Sequence, residues 1–201
     1  MSLLLVRFVL VFAFLGGSFS ARSAAAADTS SLAIPAAVSD SLHPHVRTNE
    51  QPLAALLRRA AAESPSFESL VARLTNSNLI VYVRTNRLLS RGLDGQLTFM
   101  GTAGGRRYIV VSLAWGLPEL RQMATLGHEL QHAVEIAERP EIVDAATLAR
   151  SYAAFGQGST RGGGVAFETG AAMDTGERVW REISRRTRNG ATDELEPAAR
   201  P

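Results

Sequence analysis

The sequence lacks two residue types altogether: among its 201 residues there is no cysteine and no lysine. Without cysteine the chain can form neither a disulfide nor a thiolate metal site, and it has no cysteine nucleophile. Without lysine it cannot form a Schiff base, a Ser-Lys dyad or a phosphate-binding loop of the Walker type. Both absences narrow the chemistry that this chain can perform.

An excess of charge is also lacking once the N-terminus is set aside. The formal net charge of +2 comes from 21 basic and 19 acidic residues. Arg7 and Arg22 lie in a segment that we expect to be removed, and residues 28–201 then balance 19 arginines against 19 acidic residues. The high isoelectric point is therefore no sign of an anionic partner, and we expect no nucleic-acid partner.

Residues 1–27 have the layout of a secretory signal peptide. Arg7 gives the charged region, residues 8–15 form a short apolar run, and mostly small residues lead to Ala27, after which we expect cleavage. The run is shorter than the roughly 20 residues that span a bilayer, and no other stretch is apolar enough to do so. We therefore expect a secreted or periplasmic protein without membrane contact after cleavage; an uncleaved anchor is the alternative.

The rest of the chain divides into three parts. Residues 28–48 are rich in Ser, Ala and Pro, which predicts a flexible arm or linker. Residues 49–188 have the size of one domain, and residues 189–201 predict a disordered tail. No internal repeat divides the domain further.

Hydrophobic patterning predicts two helices at the start of the domain. An apolar stripe predicts the first over residues 51–62. Ser64-Pro65 then interrupts the pattern, and Ser66 is placed to cap a second helix that ends near Leu74.

Three strands are predicted next. Residues 78–84 are rich in β-branched side chains. Residues 96–100 and 106–114 flank the glycine-containing segment 101–105, which predicts a hairpin. Together these segments predict a small, largely antiparallel sheet.

From Leu117 the hydrophobic period changes from two to about 3.6, which predicts a long helix over residues 117–138. A further helix is predicted over 143–154, followed by a flexible, glycine-dense loop at 156–164 and a final helix over 165–186. Helices, a sheet, a long helix and a final helix in this order predict an α+β fold.

The long helix contains the segment His128-Glu129-Leu130-Gln131-His132. Two histidines at positions i and i+4 lie on one face of a helix and can both bind zinc through neutral imidazole nitrogens. A glutamate directly after the first histidine stands about 100° around the helix. There Glu129 can reach a water molecule at the metal without being a ligand, so we expect it to be a general base.

The rest of the helix agrees with this interpretation. His128 and His132 project away from an apolar arc, so that the helix has a core side and a polar side on which a site can form. The arc consists of Met123, Leu126, Leu130, Ala133, Val134 and Ala137.

A catalytic zinc ion normally has three protein ligands and one open position. The candidate carboxylates for the third ligand are Glu135, Glu138, Glu141, Asp144 and Glu168, while His43 and His45 lie in the predicted arm. Glu135 is about 10 Å along the helix axis from His128, which suits an outer role. We prefer Glu168, which is expected to open the final helix and is followed by small residues that allow close helix packing.

With two histidines and a later glutamate, the sequence resembles the gluzincins, the thermolysin-like zinc metallopeptidases, in their minimal single-domain form. The resemblance implies a zincin-like fold with Zn²⁺ as cofactor, His128 and His132 as ligands, Glu129 as general base and a downstream glutamate, here Glu168, as third ligand. It also implies a peptide or protein substrate.

The sequence departs from that family at the carboxylate that orients the first histidine. Position 172 is Ala where the family has Asp, and the gap from His132 to Glu168 is longer than in thermolysin. Glu135, Asp144 or Asp174 are the candidates to take over that carboxylate's role. Candidate donors to a developing oxyanion are Tyr108, Tyr152 and Arg161.

The expected function is therefore that of an exported zinc-dependent hydrolase, and more specifically a metallopeptidase. The alternative is a non-catalytic exported binding protein that uses the same zincin-like fold. A zinc hydrolase acting on a non-peptide amide or on cell-wall cross-links is a third interpretation.

Overall fold

The computed structural model describes the backbone of residues 44–89, 92–155, 157–161 and 164–193, and the side chains of residues 44–89, 92–154 and 168–188. The predicted signal peptide and residues 28–43 of the predicted arm lie outside the described residues, as do residues 194–201 of the predicted tail. The described part combines a small four-stranded sheet with helices, which confirms the predicted α+β class.

Two short helices precede most of the sheet, as the apolar stripes predict. Helix α1 spans Gln51–Glu63 and helix α2 spans Pro65–Thr75. The hydroxyl of Ser64, rather than that of Ser66, caps α2 by accepting a hydrogen bond from the backbone N–H of Phe67 at 3.1 Å. Pro65 then takes the first helical position, where its missing N–H leaves no bond unmade.

The sheet has four strands in the order β1-β2-β4-β3. Strand β2 is parallel to both β1 and β4, and β3 alone is antiparallel to its neighbour, β4. The prediction of a largely antiparallel sheet is therefore wrong, since two of the three pairings are parallel. The strands are β1 (Val46–Arg47), β2 (Leu79–Asn86), β3 (Gly95–Ala103) and β4 (Arg106–Ala114).

The burial of β2 explains the parallel pairing. Leu79, Ile80 and Val81 are all buried, so both faces of the strand are covered. Parallel strands are usually covered on both faces, whereas antiparallel strands with one wet face alternate apolar and polar residues. The unbroken apolar run at the start of β2 is the sequence signal for this arrangement.

Strand β1 corrects the boundary of the predicted arm. Val46 and Arg47 pair with Val81 and Tyr82 of β2, and Val46 is buried. The folded domain therefore begins before residue 49, within the segment predicted to be a linker.

The predicted hairpin between β3 and β4 is confirmed. Its turn is Gly104-Gly105, with φ angles of +56° and +73°. A two-residue turn of this kind needs positive φ at both positions, which glycine adopts without steric cost.

The predicted long helix is present as α3, which spans Glu119–Ala137. After α3 come helix α4 (Ala145–Phe155), a hairpin of β5 (Gln157–Arg161) with β6 (Gly164–Glu168), and helix α5 (Gly170–Asp193). None of the helices in the described ranges is long and apolar enough to cross a bilayer.

The C-terminal third of the chain differs from its prediction at two boundaries. The prediction of a flexible loop at 156–164 is wrong, because most of that segment forms strand β5, which pairs with β6. The final helix begins at Gly170 and not at Val165, since Val165 to Phe167 pair with β5. At its other end α5 continues to Asp193, so the first residues of the predicted disordered tail are helical.

Helix α5 packs closely on α3 through two glycines. A Cβ atom at Gly127 of α3 would lie 2.7 Å from Cγ2 of Val179, and one at Gly176 of α5 would lie 3.1 Å from Cβ of His128. The side of α3 that carries the histidines is therefore covered by α5. The polar side predicted for this helix is buried and not open to solvent.

A buried arginine from β4 holds the C-terminal end of α3. Arg107 is 2% exposed, and its guanidinium also donates two hydrogen bonds to Oδ1 of Asn78. The last carbonyls of a helix have no partner within the helix, and Arg107 supplies partners here, which fixes α3 relative to the sheet. The carbonyl oxygens that it binds belong to Ile136, Ala137, Arg139 and Ile142.

Candidate metal centre

Helix α3 brings its two histidines together one turn apart. The Nε2 atoms of His128 and His132 are 3.1 Å apart, and the two rings meet edge to face with centroids 4.8 Å apart. Both side chains are buried, with 0% and 2% of their surface exposed. The i and i+4 spacing therefore aims both Nε2 atoms at the same point.

Glu168 completes a group of three. Its Oε2 atom is 3.2 Å from Nε2 of His128, and the ligand atoms of His128, His132 and Glu168 all lie within 4.8 Å of one another. The prediction that Glu168 opens the final helix is wrong, because Glu168 is the last residue of β6. The hairpin of β5 and β6 thus delivers the carboxylate to α3.

The geometry of these donors fits a metal ion. Two ligands at zinc–nitrogen or zinc–oxygen distances of 2.0–2.2 Å stand roughly 3.3 Å apart on a tetrahedral ion, close to the two separations of 3.1 and 3.2 Å. Both carboxylate oxygens of Glu168 are buried, and apart from the contact of Oε2 with Nε2 of His128 they lack a hydrogen-bond partner among the described residues. Buried carboxylate oxygens are costly without a partner, and a cation at this point would supply one.

The protonation of the histidines agrees with metal binding. Nδ1 of His132 is 3.1 Å from Oε2 of Glu135, which can only accept a hydrogen bond when ionised; this contact favours the tautomer with the hydrogen on Nδ1 and a lone pair on Nε2. Burial lowers the pKa of His128 to about 4, so its ring is neutral near pH 7. Neutral imidazole is the form that binds metals.

Glu129 lies beside this group with both oxygens buried and without a hydrogen-bond partner among the described residues. Burial raises the pKa of Glu129 well above its ordinary value, and the charge of Glu168 raises it further. A Cβ atom at Gly95 of β3 would lie only 2.6 Å from Oε1 of Glu129. The start of β3 therefore passes directly against this carboxylate, which only a glycine allows.

Glu135 supports His132 and not the first histidine. Its Oε2 atom also accepts a hydrogen bond from the hydroxyl of Tyr152 at 3.1 Å, and its Oε1 atom accepts one from Thr169 at 2.7 Å. Burial raises the pKa of Glu135, but the hydrogen bonds from His132, Thr169 and Tyr152 outweigh it and hold the pKa below its ordinary value. Glu135 is thus an ionised carboxylate in the interior, next to the metal-binding group.

Tyr152 stands in a different place from the one that its predicted role requires. Its hydroxyl is 3.2 Å from Nδ1 of His132 and donates toward Glu135, on the far side of the imidazole from Nε2. It belongs to the support of His132 and does not face the point at which a substrate oxyanion would form. Thr169, which donates a hydrogen bond to Glu135, was not predicted from the sequence.

Four other predicted candidates are not part of the group. Asp144 caps α4, where its exposed Oδ1 atom accepts a hydrogen bond from the backbone N–H of Thr147 at 2.7 Å; its predicted role beside a histidine is therefore wrong. Glu138 pairs with Arg73 on the surface. Glu141 and Asp174 are exposed.

The remaining candidates are also accounted for. His45 contacts the carbonyl oxygen of Leu74 and a guanidinium nitrogen of Arg106 through its two ring nitrogens, so it has no nitrogen left for a metal. His43 lies outside the described residues, as does the side chain of Arg161, and Tyr108 is half-buried in β4.

The site is nearly closed. Of the side chains discussed, Glu168 has 18% of its surface exposed, whereas Glu129 is 1% exposed. This exposure belongs to the rest of the Glu168 side chain, because both of its carboxylate oxygens are buried. A groove of about 670 Å³ lies elsewhere, between the start of α3 and the second half of α5, and contains none of the four residues His128, Glu129, His132 and Glu168.

No family model, no curated protein and no solved structure matches this chain in the comparisons. The structure thus defines the chain only as a protein with a mixed α+β fold and a group of side chains that could hold a metal ion.

Proposed function

We propose that this chain is an exported zinc-dependent hydrolase, and specifically a metallopeptidase of the gluzincin type. The observation that carries the proposal is the meeting of His128, His132 and Glu168 beside the buried carboxylate of Glu129. Two imidazole nitrogens and one carboxylate oxygen form a ligand set known from catalytic zinc sites, which leaves one position for water or substrate.

The residues of this chain divide the work. Bound zinc would supply a Lewis acid that polarises the scissile carbonyl and lowers the pKa of water. Glu129 is placed to take the proton of the attacking water and to pass it to the leaving amine. Burial raises the pKa of Glu129, and the charge of bound zinc would lower it again, so that the ionised carboxylate can accept the proton of the water before it donates that proton to the amine.

A peptide substrate is supported by the position of β3. This strand forms one edge of the four-stranded sheet, and its first residue, Gly95, lies against Glu129. An extended peptide could pair with the backbone of such an edge and be held next to the general base.

Export is part of the same proposal and rests on the composition of residues 1–27. It implies a mature chain that begins at Asp28, which the mass of the protein recovered outside the cytoplasm tests directly.

A second function is favoured by the burial of the group. Structural metal sites are closed, whereas catalytic sites keep an open position, and Glu129 and both histidines are at most 2% exposed. A non-catalytic exported binding protein, stabilised by its metal, would have such a closed site.

Glu129→Gln separates the two functions. For a hydrolase we expect about one zinc ion per chain in both proteins, and a loss of about 10²- to 10⁴-fold in turnover in the variant, since general acid–base catalysis contributes this much. Zinc is measured by elemental analysis of the purified full chain and turnover by mass spectrometry of a mixed peptide library.

Asp144→Asn is the matched control, because this exposed carboxylate caps α4 and should leave both quantities unchanged. Stoichiometric zinc without hydrolysis in the wild type would favour the binding protein. If the wild type contains less than one zinc ion per chain and His132→Ala does not change that content, the proposed metal site is wrong.

A further inference from the structure

Thr169 is the residue that joins the strand carrying Glu168 to helix α5. Its Oγ1 atom accepts a hydrogen bond from the backbone N–H of Ala172 at 3.1 Å, and its carbonyl oxygen accepts one from Met173 N at 3.1 Å. Thr169 therefore caps the first turn of α5. Its side chain is buried, and the residue is 8% exposed.

The hydroxyl of Thr169 donates its hydrogen bond to Glu135. Because Oγ1 accepts from the N–H of Ala172, its own hydrogen is left to donate, and Oε1 of Glu135 lies 2.7 Å away. The other oxygen of Glu135 is 3.1 Å from both Nδ1 of His132 and the hydroxyl of Tyr152. Both carboxylate oxygens are thus used, and in the described part of the chain Thr169 donates the hydrogen bond that Oε1 accepts.

We propose that Thr169 is a positioning residue of the metal centre, which fixes the ligand His132 through Glu135 and, in the same contact, the ligand Glu168 through the chain. This inference rests on the proposed metal binding. The two histidines are on α3 and the carboxylate is on β6, so the three ligands keep their spacing only if these elements are held together. The hydrogen bond from Thr169 to Glu135 joins the two elements next to the ligands.

The chain of contacts also sets the tautomer of His132. Glu135 accepts the proton of Nδ1 only while its carboxylate faces the ring, and Thr169 holds the far oxygen in that orientation. Without the hydroxyl, Oε1 would be a buried oxygen that has lost this hydrogen bond, and the carboxylate would rotate to find another partner. The rotation weakens His132 as a ligand, since support of this kind contributes about 10- to 100-fold to metal affinity.

The test compares Thr169→Val, which has the same shape without the hydroxyl, with Thr169→Ser, which keeps it. We expect the valine variant to bind zinc about 10- to 100-fold more weakly in competition with a chromophoric chelator. We also expect the d–d absorption of its Co²⁺ form to change in position or intensity, because the ligand geometry changes. The serine variant should bind zinc with nearly the wild-type affinity, and its Co²⁺ form should show the wild-type absorption.

Loss of the helix cap is a separate effect of Thr169→Val and needs its own control. Asp144→Ala removes the cap of α4 and should lower the melting temperature without changing zinc affinity or the Co²⁺ spectrum. Tyr152→Phe removes the other hydroxyl bound to Glu135 and leaves α5 untouched, so it should weaken zinc binding in the same direction.

The outcomes are distinguishable. Wild-type zinc affinity and an unchanged Co²⁺ spectrum in Thr169→Val would overturn the positioning role while leaving the metal site intact. Equal impairment of the valine and serine variants would overturn it too, because the hydroxyl would then not be the cause. A wild type that binds no zinc would overturn both this inference and the proposed function.

Discussion

At the scale of single residues, Gly95 decides how close the sheet can come to Glu129. The backbone of β3 lies where a side chain would meet Oε1 of Glu129 and Cγ2 of Thr125, at 2.6 and 2.7 Å. Such distances are far inside van der Waals contact, so a larger residue would move either the strand or the carboxylate. The carboxylate is thereby held in one place by the absence of a side chain.

If the proposed function holds, Gly95→Ala should therefore impair catalysis while sparing metal binding. We expect zinc to stay bound with near wild-type affinity, because the ligands are elsewhere. Turnover should fall about 10- to 100-fold, since displacing a catalytic group by about 1 Å has effects of this size.

Gly170→Ala is the control for Gly95→Ala, because nothing lies within 4 Å of the added carbon in the first turn of α5. Its turnover should equal that of the wild type. Thermal unfolding of both variants shows whether they fold. A fully active Gly95→Ala enzyme would contradict the assignment of Glu129 as general base.

At the scale of elements, α3 and α5 are each fixed to neighbouring elements through a charged side chain. Arg107 of β4 binds the carbonyls at the end of α3. Glu182 of α5 accepts hydrogen bonds from the hydroxyls of Ser64 and Ser66, at 2.5 and 2.7 Å, where α1 meets α2. These contacts lie outside the metal-binding group but determine where its helices stand.

Arg107→Met should be strongly destabilising. It removes the six hydrogen bonds that the guanidinium donates to Asn78 and to the carbonyl oxygens at the end of α3, and we expect the free energy of unfolding to fall by about 3 kcal/mol in urea titration. Arg84→Met is the control, because Arg84 is exposed and bonds only to Ser112 in the described contacts. A cost below about 1 kcal/mol is expected there. Equal costs for the two variants would refute the role of Arg107.

Glu182→Gln should make stability less dependent on pH. Although burial raises the pKa of Glu182, the hydrogen bonds from Ser64 and Ser66 lower it below the ordinary value. A lowered pKa contributes stability above the unfolded-state pKa of about 4.3, and this contribution is lost as the pH falls through the folded-state value. We expect the wild type to exceed the variant by about 1 kcal/mol at pH 7.

The advantage of the wild type over Glu182→Gln should disappear in urea titrations as the pH falls below about 4. Glu177→Gln, at an exposed position on the same helix, should show no such convergence. A constant difference between wild type and Glu182→Gln at all pH values would contradict the ionic origin of the contact.

The elements also show what the sequence can and cannot predict. His128, Glu129 and His132 lie within one turn of helix, so their geometry follows from helical spacing alone. Glu168 required a choice among several carboxylates, and its strand was taken for the start of a helix because Val165-Ala166-Phe167 is compatible with both. Thr169 is part of no recognisable sequence motif. Its hydroxyl reaches Glu135 only when β6 packs against α3.

At the scale of the whole molecule, metal binding and folding should depend on each other. The ligands come from α3 and from β6, and α5 covers the histidines. A metal that binds the folded state and not the unfolded chain stabilises it by about 2.7 kcal/mol at a concentration 100 times the Kd. A metal ion bound at the proposed site would therefore stabilise α3, β6 and α5 together.

Removal of the metal should lower the melting temperature. For a domain of this size we expect chelation to lower it by about 5–10 °C and added zinc to restore it. Differential scanning fluorimetry measures both. His132→Asn should lack the zinc-dependent shift, whereas Asp144→Asn should keep it. A shift that survives in His132→Asn would show that zinc acts elsewhere.

The position of Glu168 in the chain has a consequence for biosynthesis. The two histidines emerge from the ribosome before the glutamate, which follows 36 residues later and is itself followed by the helix that packs on them. All three proposed ligands are therefore present only once Glu168 has been made, and the helix that covers the histidines is made after them. The proposed metal site would thus be completed late in synthesis, when most of the domain has already left the ribosome.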